Sequence, residues 1–310
     1  MVRLSLRITF LGTAASIPTS TRGLSSVAVQ REGELFLFDC GEGTQRQMIQ
    51  ARIGFNRETR IFVTHMHGDH ILGVPGILQT MSLLGRDKHL EIYGPNGTEA
   101  FIDAIIRTVE FSLGFPVEVH EVEEEGLVCR GKGYEVHSAW TEHSIPSLAY
   151  ALVEKPRPGR FSPEKAESLG VPKGPLWHRL QEGEEVRLAD GRVIVPRDIL
   201  GPPRPGRKIV YVGDTKPSDK IAEFAEGADM LIHESTFSDD LSERAEEDLH
   251  STPSGAALVA KKAGVRLLVL THISARYGDP SILLEEAKKT FPEVRVAEDF
   301  MRIDIPLRRT

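Results

Sequence analysis

The stretch THMHGDH, residues 64–70, decides how this chain is read. It places His65, His67 and His70 within six positions, with Asp69 among them, in a chain that has 11 histidines in 310 residues. Imidazole is the commonest metal ligand and titrates near neutral pH. Packing rarely calls for it at this density. The run before the cluster, RIFVT (60–64), is apolar and β-branched, which predicts a buried strand. The run after it, ILGVPGILQTMSLL (71–84), predicts a helix interrupted by Gly and Pro. The histidines therefore sit at a strand end, on the turn into a helix, where layered α/β folds gather their sites.

A dinuclear metal centre calls for about seven ligand positions. The cluster supplies four: His65, His67, Asp69 and His70. Alternate residues of an extended strand end point the same way, so His65 and His67 can grip one ion. Asp69 and His70 follow the turn at Gly68 and can reach a second. Three further candidates each close a strand pattern: His143 ends YEVHSAWTEH, Asp214 ends KIVYVGD and His272 ends VRLLVLTH. Asp214 is the natural bridge, because a carboxylate has two oxygens to offer. A mixed His/Asp set suits zinc and tolerates manganese or iron. Taken singly, His143 or His272 would read as a solvated or capping residue; beside the cluster they read as ligands.

Working outward, strand patterns appear at 7–11, 25–30, 34–38, 60–64, 89–93, 134–140, 147–153, 208–212, 229–233, 266–271 and 301–306. Helix patterns appear at 44–52, 70–84, 97–110, 217–226, 253–263 and 280–290. The alternation predicts an α/β or layered fold. The first half is rich in short strands and poor in helices, which predicts antiparallel pieces there. No apolar run is long enough for a membrane span, and the N-terminus, MVRLSLRITFLG, enters a strand pattern without the features of a signal peptide. Cys40 and Cys129 are far apart and lack ligand spacing, which suggests a reducing, cytoplasmic setting. A net charge of −7 argues against wholesale wrapping of nucleic acid but leaves room for a local basic patch.

One segment stands apart. From Glu154 to Lys208 the apolar periodicity fades, and nine of the 19 prolines lie between Pro156 and Pro205. Twelve Lys and Arg stand against eight Asp and Glu, so this stretch is positive inside an acidic chain. Long Pro/Gly-rich insertions in compact domains are uncommon and often functional. A surface excursion that is merely basic is the plainer reading, and composition alone divides the two evenly.

The order HxHxDH, His143, Asp214, His272 resembles the metallo-β-lactamase superfamily. Within it, four stretches are similar to the short-form ribonuclease Z family of transfer RNA 3′-processing endoribonucleases: DCGEGTQRQ (39–47), HEST (233–236), HST (250–252) and the insertion GRFSPEKAESLGVPKGPLWHRLQEGEEV (159–186). The resemblance covers nearly the whole chain. It implies one αβ/βα four-layer sandwich over residues 1–310, with a flexible tRNA-binding arm inserted at 154–207. It implies two zinc ions per subunit, held by His65, His67, Asp69, His70, His143, Asp214 and His272, and a homodimer that acts on precursor tRNA. The loop PTSTRG (18–23) departs from the family's PxKxRN, with Ser20 and Gly23 in place of Lys and Asn. That loop is associated with discrimination at the RNA 3′ end, so the departure bears on precursors with an encoded CCA.

The resemblance also implies the reaction. A phosphodiester is hydrolysed 3′ of the discriminator nucleotide, leaving a 3′ hydroxyl on tRNA and a 5′ phosphate on the trailer. Asp69 would orient or deprotonate the attacking water. His250 would be the general acid and Glu234 its carboxylate partner. By pattern alone His250 belongs with Ser251, Thr252 and Pro253 as a helix start, and Glu234 is an ordinary carboxylate after DMLIHE. His233 reads as structural. Arg157, Arg160, Lys165, Lys173 and Arg179 are the arm's candidate phosphate contacts. Gly41, Gly43 and Thr44 open a helix whose N-terminus could take a phosphate. The competing expectations are a small phosphodiesterase or glyoxalase-type thioesterase on the same metals, and a metal-stabilised binding protein without turnover.

Overall fold

The structure is a computed structural model and describes residues 6–308. The first five residues, where the N-terminal pattern begins, lie outside the described residues. The chain divides into two compact units. One is built from residues 6–153 together with Lys208–Pro306, and the other from Glu154–Arg207 with residues 307–308.

In the first unit two seven-stranded sheets face each other. One runs, in spatial order, Arg302–Asp304, Leu6–Gly12, Ser26–Arg31, Glu34–Phe38, Glu58–Phe62, Leu90–Gly94 and Val117–Glu121. The other runs Val294–Val296, Leu268–Thr271, Met230–Glu234, Lys208–Val212, Leu148–Glu154, Tyr134–Trp140 and Gly126–Gly131. Strand alternation explains the layering. On the first sheet Ile8, Phe10, Val29, Phe36, Phe38 and Phe62 point inward; on the second Tyr134, Tyr150, Ile209, Tyr211 and Ile232 meet them in one core. The outward set of the first sheet, including Leu35, Leu37, Ile61 and Ile92, packs with Met48, Ile77, Met81 and Ile102 of the helices Thr44–Gln50, Val74–Leu83 and Thr98–Thr108. The outward set of the second, including Val210, Val212, Leu231 and Leu270, packs with Ile221, Ala256, Ala260 and Ala287 of Asp219–Phe224, Pro253–Ala263 and Ser281–Lys288. Helix, sheet, sheet, helix is the four-layer order expected of the metallo-β-lactamase fold.

The antiparallel expectation for the first half holds only in part. The strands from Arg302 through Phe38 pair antiparallel, but Glu34–Phe38, Glu58–Phe62, Leu90–Gly94 and Val117–Glu121 pair parallel. The helices Thr44–Gln50, Val74–Leu83 and Thr98–Thr108 supply the crossovers that parallel pairing needs. The helix pattern over 70–84 is two helices, Gly68–Ile71 and Val74–Leu83, separated at Gly73. A Cβ at Gly73 would lie 2.0 Å from Gly41 O, so two backbone segments cross there where a side chain has no room.

The second unit has its own small core. Ala166, Val171, Leu180, Val186, Ile194 and Ile199 are buried together, with Phe161 and Trp177 against them. Three short helices, Pro163–Ser168, Pro175–Gln181 and Pro196–Ile199, and the paired strands Val186–Arg187 and Val193–Ile194 carry these residues. Each helix starts with Pro at its first position, where the missing N–H costs nothing. At the base of the unit, buried Arg207 forks onto both oxygens of Glu154 at 2.7 and 2.8 Å.

Candidate metal centre

The strand Glu58–Phe62 delivers the chain to the centre. Val63 and Thr64 continue it, fully buried, and His67 then leads into the helix Gly68–Ile71. Asp39 clamps this turn. It is buried, with φ 54, and its Oδ1 accepts Thr64 N at 2.7 Å. Its Oδ2 accepts Thr64 Oγ1 at 3.0 Å, His70 Nδ1 at 2.7 Å and Tyr211 Oη at 2.8 Å. Cys40 N donates to His70 O at 2.7 Å, and a Cβ on Gly41 would sit 2.4 Å from Asp69 O. The DCGEG stretch therefore fits the histidine turn against the first sheet.

All seven candidate ligands converge. His65, His67, His143 and Asp214 present donor atoms within 4.8 Å of one another, as do Asp69, His70 and His272. Asp214 faces both sets. Its Oδ2 lies 3.6 Å from His65 Nε2 and 3.9 Å from His143 Nε2, while its Oδ1 lies 3.4 Å from His70 Nε2 and 3.2 Å from His272 Nε2. Asp69 Oδ2 approaches His70 and His272 at 3.5 and 3.4 Å.

The far side of each ring fixes which nitrogen is free. Thr64 gives its single hydroxyl proton to Asp39, so His65 Nδ1 donates to Thr64 Oγ1 at 2.9 Å. His70 Nδ1 donates to Asp39, His143 Nδ1 to Leu249 O at 3.3 Å, and His272 Nδ1 to Thr236 Oγ1 at 2.8 Å. Four lone pairs at Nε2 then point inward, with His67 Nδ1 between His65 and His143 at 3.1 and 3.3 Å. Buried His70 Nε2 and Asp214 Oδ1 have no hydrogen-bond partner. Burial, reinforced by the neighbouring rings and outweighing Asp214, pushes His65 down to about 2, so it stays a neutral donor. Burial resists ionisation of Asp214, yet positive charge beside it, from His272 and His70 when protonated, holds it well below the usual carboxylate range. Converging lone pairs around an ionised carboxylate fit divalent cations.

Beside this cluster lies a second arrangement. Glu234 is fully buried at the end of Met230–Glu234, and its Oε1 sits 2.7 Å from His250 Nδ1. Thr215 N, Thr236 N and Thr236 Oγ1 also donate to Glu234, at 3.1, 3.0 and 2.8 Å. The His250 ring stacks on His272 at 5.7 Å. Thr252, not His250, caps the helix Pro253–Ala263 by accepting Gly255 N, which leaves the imidazole for the site. His233 is buried and donates to Glu234 O at 2.8 Å.

The arm candidates all lie in the second unit. Lys173 and Arg179 are paired with Glu167 and Glu184 there, each at 2.8 Å. Arg160 and Lys165 are exposed, and Arg157 is partly buried with its Nε and one Nη lacking a hydrogen-bond partner. Asp39, Thr64 and Thr236, the residues that set the ligand tautomers, were not singled out from sequence. They lie within DCGEGTQRQ, THMHGDH and HEST respectively, but nothing in a linear pattern reveals that the Asp39 carboxylate reaches four donors.

Residues 161–273 match the family described as beta-lactamase superfamily domain, and residues 6–107 the family described as anti-Pycsar protein Apyc1. The chain is 53% identical to a ribonuclease Z of Methanosarcina acetivorans over 98% of its own length and 99% of that protein's. It is 49% identical to a ribonuclease Z of Haloferax volcanii, over 98% and 96%. The chain belongs to the ribonuclease Z family. Among solved structures it is similar to the short form of human tRNase Z, with a TM-score of 0.72, 33% identity and coverage of 97% of this chain and 100% of that one. The fold is shared more widely: a metallo-β-lactamase fold protein of Bacillus subtilis, YhfI, gives a TM-score of 0.69 at 18% identity. As in the expectation from sequence, the ribonuclease Z family member carries a His/Asp metal-binding cluster. Among the described residues, no helix is long and apolar enough to cross a membrane.

Proposed function

We propose that this member of the ribonuclease Z family removes the 3′ trailer of precursor tRNA by hydrolysing one phosphodiester 3′ of the discriminator nucleotide. The observation that carries the reading is Asp214, whose two oxygens face two separate donor sets with the Glu234–His250 pair alongside. His65, His67, His143 and Asp214 Oδ2 would hold one divalent ion. Asp69, His70, His272 and Asp214 Oδ1 would hold the other. Zinc suits this donor set, and manganese is tolerated. Two such ions would supply a water acidic enough to attack near neutral pH and positive charge for the phosphoryl oxygens.

The chain's own groups handle the protons. Asp69 is held by Ser16 N, which donates to its Oδ2 at 2.8 Å, and so can orient the attacking water or accept its proton. The bond that breaks joins phosphorus to the ribose 3′ oxygen, which must leave as a hydroxyl. His250 delivers that proton. Burial opposes its charge, but Glu234 overrides this and pushes it up to about 9, so the imidazolium is the resting form. With Nδ1 on Glu234, the proton donor is Nε2.

The inserted unit supplies the grip on tRNA in this reading. Its exposed Arg160 and Lys165, with Arg157, Lys173 and Arg179, would meet backbone phosphates. A homodimer, with one subunit's arm serving its partner's centre, rests on the family resemblance. So does a flexible arm. A cytoplasmic location rests on the two free thiols, Cys40 and Cys129. The loop Pro18–Gly23 lines a cavity of about 500 Å³ with Arg46, Gln47 and Phe300. It is the candidate contact for the RNA 3′ end.

The test is cleavage of an end-labelled precursor tRNA with a 3′ trailer, with and without a chelator. A chelator-sensitive cut after the discriminator, leaving a 3′ hydroxyl, is expected. A metal-replete protein that hydrolyses small esters but leaves the precursor intact would overturn the reading.

A further inference from the structure

Asp299 belongs to neither donor set, yet its carboxylate closes the neck of the loop that runs past one of them. Oδ1 accepts Thr13 Oγ1 at 2.7 Å; Oδ2 accepts Gly23 N at 2.7 Å and Gln47 Nε2 at 2.6 Å. Thr13 N and Ala14 N both donate to Gly23 O, at 2.9 and 2.8 Å. Arg22 braces the same point, donating to Thr13 Oγ1 and Ala297 O, both at 2.6 Å. One carboxylate thus ties together three separate stretches of chain.

What leaves this neck reaches two ligands of a single set. Ala14 and Ala15 pair in parallel with Ile273 and Ser274, and Ile273 N donates to Thr13 O at 2.8 Å, directly after His272. His272 itself has φ 56, so its backbone is held in the left-handed region by its surroundings. One residue past Ala15, Ser16 has φ 51 and donates its N–H to Asp69 Oδ2. Asp69 and His272 both belong to the set that includes His70. The other set is placed differently. His65 and His67 follow the Asp39 clamp, His143 rests on Leu249 O, and Asp214 lies two residues past the strand Lys208–Val212.

We propose that Asp299 is a positioning residue for one metal ion of the two, acting through Thr13–Ser16 on Asp69 and His272. The inference rests on the two-ion reading of the centre. Loss of the carboxylate leaves Gly23 N without its acceptor, Thr13 Oγ1 with Arg22 alone and Gln47 Nε2 with Leu11 O alone. The neck then rests on its backbone bonds and on Arg22, so Ser16 holds its strained conformation less firmly and its N–H supports Asp69 less well. The first donor set keeps every contact named above.

Zinc titration by calorimetry of the metal-free full chain tests this, with wild type, Asp299→Ala and Asp304→Asn compared. Asp304 is the surface control, since it lies on the edge strand Arg302–Asp304 and pairs with exposed Arg7 of the neighbouring strand. Wild type is expected to bind two ions per chain; a single ion there would sink the two-ion reading itself. In Asp299→Ala one equivalent should bind as in wild type and the other about 10- to 100-fold more weakly. Excess zinc should then restore tRNA cleavage. Two wild-type equivalents, or equal weakening of both, would overturn the role of Asp299. Should Asp299→Ala not fold, the near-isosteric Thr13→Val removes one arm of the neck and is read by the same two outcomes.

Discussion

Glu234 Oε1 lies 2.7 Å from His250 Nδ1, and Glu234 is fully buried while the His250 ring is 14% exposed. A buried carboxylate thus holds the inner nitrogen of an imidazole whose outer edge reaches solvent. Burial disfavours the charged ring, Glu234 more than compensates, and the result is a proton held up to about 9 against the ordinary 6.5. Cleavage that needs this proton should persist below that point and fall as pH rises through about 9. In Glu234→Gln the support is gone, and the alkaline limb of kcat should move down towards 6.5. The pair's contribution to stability has the same sign: full below 6.5, lost as pH rises through about 9. A pH–rate profile of both proteins checks this. An unmoved alkaline limb would remove Glu234 from the role.

His67 and His250 should separate metal binding from proton transfer. His67→Ala should lower bound metal and cleavage together. His250→Ala should keep its metal and slow cleavage by about 10²- to 10⁴-fold, the usual worth of a general acid. Metal content beside single-turnover rates distinguishes them; undiminished cleavage by His250→Ala would exclude it from the mechanism.

Asp39 fixes the proton of His70 on Nδ1 and so leaves Nε2 free. Asp39→Ala should weaken metal binding by about 10- to 100-fold although Asp39 lies outside both donor sets. Competition with a chromogenic chelator measures this. Affinity equal to wild type would mean that the tautomer is set without Asp39.

Removal of residues 156–205 should cripple cleavage of precursor tRNA while sparing hydrolysis of bis(p-nitrophenyl) phosphate. The small ester needs the metal centre alone, whereas tRNA affinity draws on phosphate contacts and should show a shallower salt dependence without them. Equal loss on both substrates would point to a folding role for the inserted unit.

Phe62 stacks on Tyr93 and Phe38 with centroids 5.1 and 5.3 Å apart, at the end of the strand that delivers the histidines. Phe62→Ala should cost about 3–5 kcal/mol. A lower urea midpoint at unchanged slope would show it, and a loss well below this range would mean that the core refills the space.

Sequence alone determined the order of the ligands and most strands of the first unit, but not Val117–Glu121, Gly126–Gly131 or Val294–Val296. Lys208–Val212 and Tyr134–Trp140 fall where their apolar patterns end in Asp214 and near His143, because alternation and turn residues are local properties. THMHGDH announced a metal because three imidazoles and a carboxylate at one reversal have few other uses. The tertiary structure decided what no period encodes. It brought Asp214 between two donor sets and placed Asp39 behind His70. It set Thr236 between Glu234 and His272, and built a core in a segment whose periodicity had faded. These contacts join residues as far apart as Thr13 and Asp299. They depend on which strand ends the two sheets bring together, and that is settled only when the inner faces bury against each other.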